Sequence, residues 1–398
     1  MVFNFTSLGT PTCNRLGTFY VKAVIITASF LFLTFVLLPS DTKSQLSSSL
    51  SAGSSSQQLD SSASTAEEIP NIVHFVYILK DSATEFNFGF SHFLSVFSAR
   101  YFLHPDKIIL HTNCLPDSLP VLAAKNGTSG KWNNLLFNLS DINLQINPVK
   151  VPLAASNGIM IQNMEHKSDF VRVAQVYEQG GIYIDFDVHV LRDLAPLRRA
   201  GFKAVGGRQV GGQINSGTFM AVPKSKAMAI WKMKMGQLYT GGWTTHSNEV
   251  ITAVGERLVG EAGEMLIMER EAFAPGSWNG ADTDSLFQVH KNTNNSGINV
   301  TDVFANKRRL PDFKEGLADR WNYPERFESW ETDWSKTYLL HAFTPDRWSH
   351  KVPGFDHITP RYILERKSNF ARAVYPVVKI MYEKGWIKED DLDSYDGK

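Results

Sequence analysis

The chain lacks an excess of charge of either sign and contains little cysteine. Forty Lys and Arg balance forty Asp and Glu over 398 residues, and no basic stripe is present. Proteins that bind nucleic acid grip its phosphates with clustered positive charge, so the sequence predicts no nucleic-acid partner. The two cysteines, Cys13 and Cys114, allow one disulfide at most. Stability must come from a packed core, for which a hydrophobic share of 43% is ample.

A long hydrophobic run lies near the amino terminus. It extends from Phe19 to Leu38 and is interrupted only by Lys22 and a few hydroxyls. As a helix rising about 1.5 Å per residue, it would cross the roughly 30 Å of a bilayer core. A cleaved signal peptide is the alternative, but the run is longer than a usual signal-peptide core, and Pro39-Ser40 is no small-x-small cleavage site. The positive-inside rule predicts a cytosolic tail at 1–18, a transmembrane signal anchor at 19–38 and a lumenal remainder.

The segment after the hydrophobic run is rich in serine. Residues 45–65 show no apolar periodicity, so a stalk is expected over residues 39–68 and a lumenal folded domain over residues 69–398. A cysteine on each side of the membrane could not pair, which predicts a domain without a disulfide. Four glycosylation sequons are consistent with a secretory compartment; they begin at Asn126, Asn138, Asn294 and Asn299.

The rest of the chain alternates between strand-like and helix-like patterns. Apolar or alternating runs at 71–79, 107–112, 142–151, 204–208, 214–221 and 337–343 predict strands, and amphipathic runs at 91–101, 225–238 and 361–382 predict helices. This alternation argues for an α/β domain with a largely parallel sheet. The turn-rich residues 115–140 are expected to form a surface excursion, and residues 281–302 a loop.

One stretch, residues 168–187, combines a helix, a double glycine and a short strand. Apolar residues at helical spacing predict a helix capped by Ser168 and ended by the glycines at 180–181. Period-two alternation then places Asp185 and Asp187 on one side of the end of the strand. Two carboxylates at the carboxyl end of a buried strand favour Mg²⁺ or Mn²⁺ with a bound diphosphate. An isolated Asp-x-Asp is nevertheless common, and Asp169 with Arg172 alone would more often be a solvated ion pair.

The order Ser-Asp-x-x-Arg, Tyr, Gly-Gly, Tyr-x-Asp-x-Asp in this stretch resembles the sugar-binding region of DXD glycosyltransferases, specifically glycosyltransferase family 32. That family includes Golgi alpha-1,4-galactosyl- and N-acetylglucosaminyltransferases and alpha-mannosyltransferases. The resemblance implies a GT-A type, Rossmann-like fold and a retaining, Mn²⁺- or Mg²⁺-dependent transferase. The donor would be a UDP-hexose, a UDP-HexNAc or GDP-mannose, and the acceptor a glycan or a glycolipid. The implied location is the Golgi membrane, with the catalytic domain in the lumen.

The resemblance also implies roles for individual residues. Asp185 would contact the donor sugar or ribose and take part in the metal site, and Asp187 would bind the metal. Asp169 and Arg172 would hold the donor. His341 would complete the metal and diphosphate site, although a lone histidine is more often structural.

Further candidates match the family pattern less closely. Tyr77 stands where Trp is usual and would stack on a nucleobase, with a core tyrosine as the alternative. Asn215 would lie in the donor-sugar pocket, unless it is a plain turn residue. Residues 241–249 stand at an acceptor loop whose usual Pro is missing here; the acceptor contacts it offers are Trp243, His246, Asn248 and Glu249.

Two other classes of protein remain open on the sequence. A membrane-anchored hydrolase could use Asp185 and Asp187 as its carboxylate pair, but residues i and i+2 of a strand lie close together and on one side. A catalytically inactive lumenal sugar-binding or scaffold protein could have kept the fold. Turnover of a nucleotide sugar distinguishes the transferase from both.

Overall fold

The structure, a computed structural model of the chain, describes residues 67–81, 84–291, 303, 309–313, 319–343, 345 and 350–392. The predicted tail, membrane anchor and nearly all of the stalk lie outside these residues, as do Asn294 and Asn299. Across the described ranges, no helix is both long enough and apolar enough to cross a membrane. Cys114 is buried as a free thiol.

The described residues alternate between strands and helices. The strands are β1 Ile72–Val76, β2 Lys107–Thr112, β3 Leu144–Pro148, β4 Gly181–Ile184, β5 Val188–Val190, β6 Ala204–Arg208, β7 Ile214–Ala221, β8 Leu266–Met268 and β9 Leu339–His341. The helices are α1 Phe90–Leu103, α2 Leu119–Asn126, α3 Lys131–Asn138, α4 Met164–Gln179, α5 Ala195–Arg198, α6 Lys226–Leu238, α7 Asn248–Leu258, α8 Arg270–Phe273, α9 Gly280–Phe287, α10 Asp319–Asn322, α11 Pro360–Leu364 and α12 Asn369–Glu383, with a 3₁₀ turn at Pro324–Arg326.

Seven of the strands form one sheet in the order β3-β2-β1-β4-β7-β6-β8. The pairs β3-β2, β2-β1, β1-β4 and β6-β8 are parallel, whereas β7 runs antiparallel to both of its neighbours. Every residue of β4 and β7 is buried, as expected for central strands covered on both faces. The predicted α/β domain with a mostly parallel sheet is confirmed.

A second, two-stranded sheet lies at the carboxyl end of β4. β5 pairs antiparallel with β9, and Val188 lies opposite His341. Helix α1 holds β5 in place, because the Ser95 hydroxyl donates to the Val188 carbonyl at 2.6 Å and the Val190 N–H donates to the Ser98 hydroxyl at 3.0 Å. No strand was predicted at the position of β5.

The double glycine joins α4 to β4 under tight packing. Gly180 and Gly181 have φ values of +66° and +107°. A Cβ on Gly180 would lie 2.8 Å from the Pro223 nitrogen, and one on Gly181 would lie 2.4 Å from the Ile72 carbonyl oxygen. Both the backbone conformation and the close approach therefore require glycine. The prediction was wrong about the other end of α4, which begins at Met164 after the N-cap Asn163.

A buried histidine pair supports the same junction. His74 Nε2 lies 2.7 Å from the Gly180 carbonyl oxygen, and His74 Nδ1 lies 2.8 Å from His111 Nε2. Asn147 Nδ2 lies 2.8 Å from His111 Nδ1. Because the Gly180 carbonyl can only accept, each imidazole is neutral with its proton on Nε2. Burial lowers the pKa of His74 to about 4 and, with the neighbouring His74, that of His111 to about 2.

Three predictions about loops and helices were wrong. The expected surface excursion contains α2 and α3, and Trp132 in α3 is buried with its indole N–H donating to the Leu392 carbonyl at 2.9 Å. The expected loop after residue 281 begins with α9. The expected carboxyl-terminal helix is divided into α11 and α12, with Arg366 between them at a φ of +55°.

Candidate active site

The two carboxylates of the DXD segment lie directly after β4. The Asp185 N–H donates to the Gly217 carbonyl at 2.8 Å, and the Val188 N–H donates to the Asp185 carbonyl at 3.0 Å. The first bond continues the pairing of β4 with β7, and the second closes a turn between β4 and β5. Phe186 packs with ring centroids 4.9 Å from Phe75 and 5.1 Å from Phe88.

β9 brings a histidine to the carboxylates. His341 Nε2 lies 3.2 Å from Asp187 Oδ1, and the Ala342 N–H donates to the Asp187 carbonyl at 2.9 Å. One ligand atom from each of Asp185, Asp187 and His341 lies within 4.8 Å of the other two. The structure thus brings the three predicted metal ligands together.

This donor set fits a divalent cation. Ligand atoms held about 2.1 Å from an octahedral ion lie roughly 3 Å apart when adjacent and about 4 Å apart when opposite. The 3.2 Å between His341 Nε2 and Asp187 Oδ1 matches the adjacent spacing. Two carboxylates and one imidazole suit Mn²⁺ or Mg²⁺. Burial raises the pKa of Asp185, Arg172 opposes this and Asp187 adds to it. A bound cation would compensate for placing these carboxylates together.

Asn215 orients the imidazole of His341. Asn215 Nδ2 lies 3.0 Å from His341 Nδ1 and donates to Gln209 Oε1 at 2.6 Å, while Asn215 Oδ1 accepts the Gly217 N–H at 2.6 Å. With Nδ1 accepting, the His341 proton lies on Nε2 and points to Asp187. Coordination of a metal through Nε2 would require the proton on Nδ1 and a turned Asn215 amide to accept it. Asn215 is 2% exposed, and its predicted place in the donor-sugar pocket stays a prediction.

Gly217 lies against the same group of side chains. A Cβ at this position would lie 2.6 Å from Asp185 Oδ2, 2.8 Å from His341 Cε1 and 2.9 Å from Asn215 Oδ1. Real Cβ atoms do not approach other heavy atoms this closely. The absence of a side chain at Gly217 therefore gives Asp185 and His341 the space they occupy.

Arg172 connects helix α4 to the DXD segment. Its Nη2 lies 2.6 Å from Asp169 Oδ1, and its Nη1 lies 3.2 Å from Asp185 Oδ2 and 2.9 Å from the Ser216 carbonyl. Burial alone would lower the pKa of Arg172, but Asp169 and Asp185 raise it overall. Arg172 is therefore a permanent cation between two carboxylates, and its planar fork fixes both.

Tyr183 is the other partner of Asp185. Its hydroxyl donates to Asp185 Oδ1, and its ring lies 4.6 Å beneath the Arg172 guanidinium. Burial raises the pKa of Tyr183 well above its ordinary value, so the phenol remains a donor. Residues i and i+2 of a strand share a face, so the Tyr-x-Asp spacing could have revealed this contact.

Residues 103–203 match the family described as glycosyltransferase sugar-binding region containing DXD motif. This segment is a glycosyltransferase sugar-binding region. It contains Asp169, Arg172, Tyr183, Asp185 and Asp187, whereas the other candidate residues lie outside it. The prediction of a DXD glycosyltransferase is confirmed.

Solved structures of glycosyltransferases resemble the chain distantly. GlyE of Streptococcus pneumoniae TIGR4, in its apo form, is 12% identical, with a TM-score of 0.38 over 80% of this chain and 64% of GlyE. The galactosyltransferase LgtC in complex with donor and acceptor sugar analogs is 13% identical, with a TM-score of 0.34 over 79% of this chain and 100% of LgtC. The PaToxG glycosyltransferase is 14% identical, with a TM-score of 0.34 over 49% of this chain and 71% of PaToxG. A search of curated proteins finds no match.

Tyr77 follows β1 directly and lies at the same edge of the sheet as Asp185, which follows β4. The Tyr77 N–H donates to the His111 carbonyl at 2.9 Å. The ring is half-buried and lies 4.6 Å from Phe88, 5.6 Å from Phe86 and 6.0 Å from Phe186. Stacking of Tyr77 on a nucleobase stays a prediction.

The four acceptor-contact candidates divide into exposed and buried residues. Trp243 is 58% exposed, and Glu249 is exposed with its carboxylate accepting the Thr244 hydroxyl at 2.6 Å. His246 is fully buried and its Nε2 lies 2.7 Å from Asp169 Oδ2, while Asn248 is 8% exposed. The side chain of His246 is therefore directed into the protein interior, where it contacts Asp169. No pattern in the sequence predicted this contact.

Proposed function

We propose that the chain transfers a sugar from a nucleotide-sugar donor to a glycan or glycolipid acceptor, with Mn²⁺ or Mg²⁺ held by Asp185, Asp187 and His341. The observation that carries this proposal is the meeting of those three side chains at the carboxyl end of β4, with ligand atoms within 4.8 Å of one another. Open α/β sheets bind their ligands at this edge. The glycosyltransferase sugar-binding region supplies two of the three residues.

The reaction requires stabilisation of a leaving nucleoside diphosphate. Its departure concentrates negative charge on phosphate oxygens, and a divalent cation bound to these residues supplies Lewis-acid stabilisation of that charge. Arg172 keeps Asp185 in place through a charge-assisted hydrogen bond.

The stereochemistry we propose is retention by a front-face displacement. The acceptor oxygen bonds to the anomeric carbon on the face that the diphosphate leaves, the carbon–phosphate oxygen bond breaks, and the acceptor proton passes to the leaving phosphate. Asp185 is a poor nucleophile, because Tyr183 and Arg172 engage both of its oxygens. That engagement supports a route without a covalent sugar–enzyme intermediate.

The hydrolase alternative is disfavoured by the same geometry. The ligand oxygens of Asp185 and Asp187 lie within 4.8 Å of each other and face one site together with His341. An inverting pair of carboxyl groups needs roughly 6.5–9.5 Å, and a retaining pair of about 5 Å stands on opposite sides of a sugar. Carboxylates side by side suit a cation better.

The fold and cellular location that we propose are a GT-A domain in the Golgi lumen, joined to the membrane by a type II anchor from Phe19 to Leu38. The single antiparallel strand β7 within a parallel sheet supports the GT-A assignment. The hydrophobic run, the serine-rich segment and the sequons support the location. Protease protection of tagged termini in intact microsomes tests the orientation, and exposure of the carboxyl terminus to the cytosol would contradict it.

The test of the activity is a donor panel. The full-length protein in detergent is incubated with UDP-galactose, UDP-N-acetylglucosamine, UDP-glucose or GDP-mannose, with and without Mn²⁺, and release of the nucleoside diphosphate is followed. We expect one donor to be cleaved in the presence of the metal. If no donor is cleaved but one binds, an inactive sugar-binding protein is the better assignment; if none binds, a scaffold is.

A further inference from the structure

We propose that His246 is a positioning residue that holds Asp185 in its working orientation through Asp169 and Arg172. The inference deepens the proposed function, on which it rests, because it concerns the same site. It assigns a role to a fully buried residue that is not one of the three proposed metal ligands.

Three consecutive contacts link His246 to Asp185. His246 Nε2 lies 2.7 Å from Asp169 Oδ2, and Asp169 Oδ1 lies 2.6 Å from Arg172 Nη2. Arg172 Nη1 then lies 3.2 Å from Asp185 Oδ2. Since a carboxylate only accepts, His246 Nε2 carries the proton and acts as the donor that fixes the second oxygen of Asp169.

The imidazole of His246 is itself held rigidly. The ring has no exposed surface and stacks on Phe170 at 5.6 Å with an interplanar angle of 9°. The carbonyl of His246 accepts the Trp231 indole N–H at 3.2 Å. A donor held in this way orients its acceptor rather than following it, because turning the ring would disrupt the packing on both sides.

Asp169 connects His246 to Arg172. Its side chain is 10% exposed, and its two oxygens face Arg172 and His246. Loss of the His246 donor would leave one oxygen of a nearly buried carboxylate without this partner, and the carboxylate could then rotate toward Arg172 or solvent. Arg172 would follow it, because one of its two charged partners would have moved. The carboxylate of Asp185 would then lose the fixed cation that orients it.

The contacts from His246 through Asp169 and Arg172 also connect Asp185 to a surface loop. His246 stands at the end of residues 240–247, which begin close to Tyr239 and carry the exposed Trp243. His166, one turn before Asp169 in α4, lies beneath this loop, with its ring 5.4 Å from Trp243 and 4.5 Å from His246. His246 therefore contacts both the side chain beneath this loop and the carboxylate that holds Arg172 against Asp185.

The test compares two substitutions at His246 with a neighbouring control. His246→Leu removes the donor, whereas His246→Gln keeps an amide N–H near the position of Nε2. Tyr239→Phe is the control: it removes a buried hydroxyl that lies 3.0 Å from His166 Nδ1 and keeps the ring beside His246. Two measurements are made on each full-length variant, the Mn²⁺-dependent cleavage of the four donors and a crystal structure of the protein.

We expect His246→Leu to lower kcat/KM for the cleaved donor about tenfold, the lower end of the range for a lost hydrogen bond to a charged group. His246→Gln should recover most of this loss, and Tyr239→Phe should stay within about twofold of the wild type. In the crystal, Arg172 should move away from Asp185 in His246→Leu and keep its place in the other two variants.

An unmoved Arg172 and Asp185 in His246→Leu would overturn the inference, whether or not any donor is cleaved. Equal losses in His246→Gln and His246→Leu, or a loss in Tyr239→Phe, would also overturn it, because both results indicate a general packing role. If the wild type cleaves no donor, the proposed function fails, and the crystal structures still decide whether His246 positions Asp185.

Discussion

His341 Nε2 lies 3.2 Å from Asp187 Oδ1 because Val188 and His341 are paired across β5 and β9. A one-residue slip in this register would turn the imidazole to the opposite face of the two-stranded sheet. The proposed metal site therefore depends on a strand pairing as much as on its three side chains.

Asp187→Ala should abolish metal-dependent donor cleavage and leave the fold intact. The substitution removes one of the three proposed ligands, and the lost Lewis-acid stabilisation corresponds to a rate decrease of at least about a hundredfold. Calorimetric titration with Mn²⁺ and the donor assay measure the effect. Asp117→Ala, at an exposed carboxylate, is the matched control. Retained turnover in the presence of Mn²⁺ would refute the metal assignment.

Gly217→Ala should inactivate the site through steric conflict. The added methyl would lie 2.6 Å from Asp185 Oδ2 and 2.8 Å from His341 Cε1, so at least one of these side chains must move. We expect kcat to fall by about a hundredfold or more, since displacements near 1 Å at a reacting centre have such effects. Gly276→Ala adds the same methyl where no atom lies within 4 Å. Full activity in Gly217→Ala would show that the site is looser than its geometry indicates.

Arg172→Lys should reduce activity although the charge is kept. An ammonium group cannot reach Asp169, Asp185 and the Ser216 carbonyl with the geometry of a guanidinium. A loss of about 2 kcal/mol in the free energy of unfolding and a tenfold or larger fall in kcat/KM are expected. Denaturant titration and donor cleavage check both values. Arg199→Lys, at a largely exposed ion pair with Glu68, should change neither.

Tyr77→Ala should weaken binding of the nucleoside diphosphate. Stacking of a base on an aromatic ring contributes about 1–3 kcal/mol, so the dissociation constant of UDP or GDP with Mn²⁺ should rise roughly tenfold or more. Tyr77→Phe keeps the ring and its packing on Phe88, and should bind as the wild type does. Equal affinity in the wild type and Tyr77→Ala would assign Tyr77 to the core alone.

The buried histidines His74 and His111 should make the free energy of unfolding depend on pH. The pKa of His74 is about 4 in the folded protein and near 6.5 when unfolded, so between these values the unfolded state binds more protons. The free energy of unfolding is therefore unaffected by protonation of His74 above about pH 6.5 and falls as the pH is lowered toward 4. For this residue the decrease is on the order of 3 kcal/mol.

Replacement of His74 isolates its share of that dependence. His74→Leu should be less stable at pH 7 but should show a flatter decline between pH 7 and 5, as measured by denaturant unfolding. His357→Leu, at an exposed histidine, should keep the slope of the wild type. An unchanged slope in His74→Leu would mean that His74 is already protonated or solvated in the folded state.

Local pattern predicted much of the framework. The strands at 107–112, 204–208 and 214–221 have the predicted bounds, because continuous apolar runs of that length fit buried strands. The two helices within residues 115–140 were not predicted, because turn-forming residues in this range outnumber the few buried ones such as Trp132 and Leu136. The start of α4 was misplaced by five residues, because Ser168 and Asn163 are both acceptable caps and only packing selects between them.

The sequence alone determined the residues that give the site its chemistry: two carboxylates after a buried strand, an arginine three residues from Asp169, and a glycine pair that ends the helix between them. These depend on neighbours in the chain, where periodicity and φ preferences act directly. Only the tertiary structure decided that His341 reaches Asp187, that Gly217 leaves space for Asp185, and that His246 is buried against Asp169. Such contacts join segments far apart in the sequence, and they are set by strand register and core packing, which no local pattern of residues specifies.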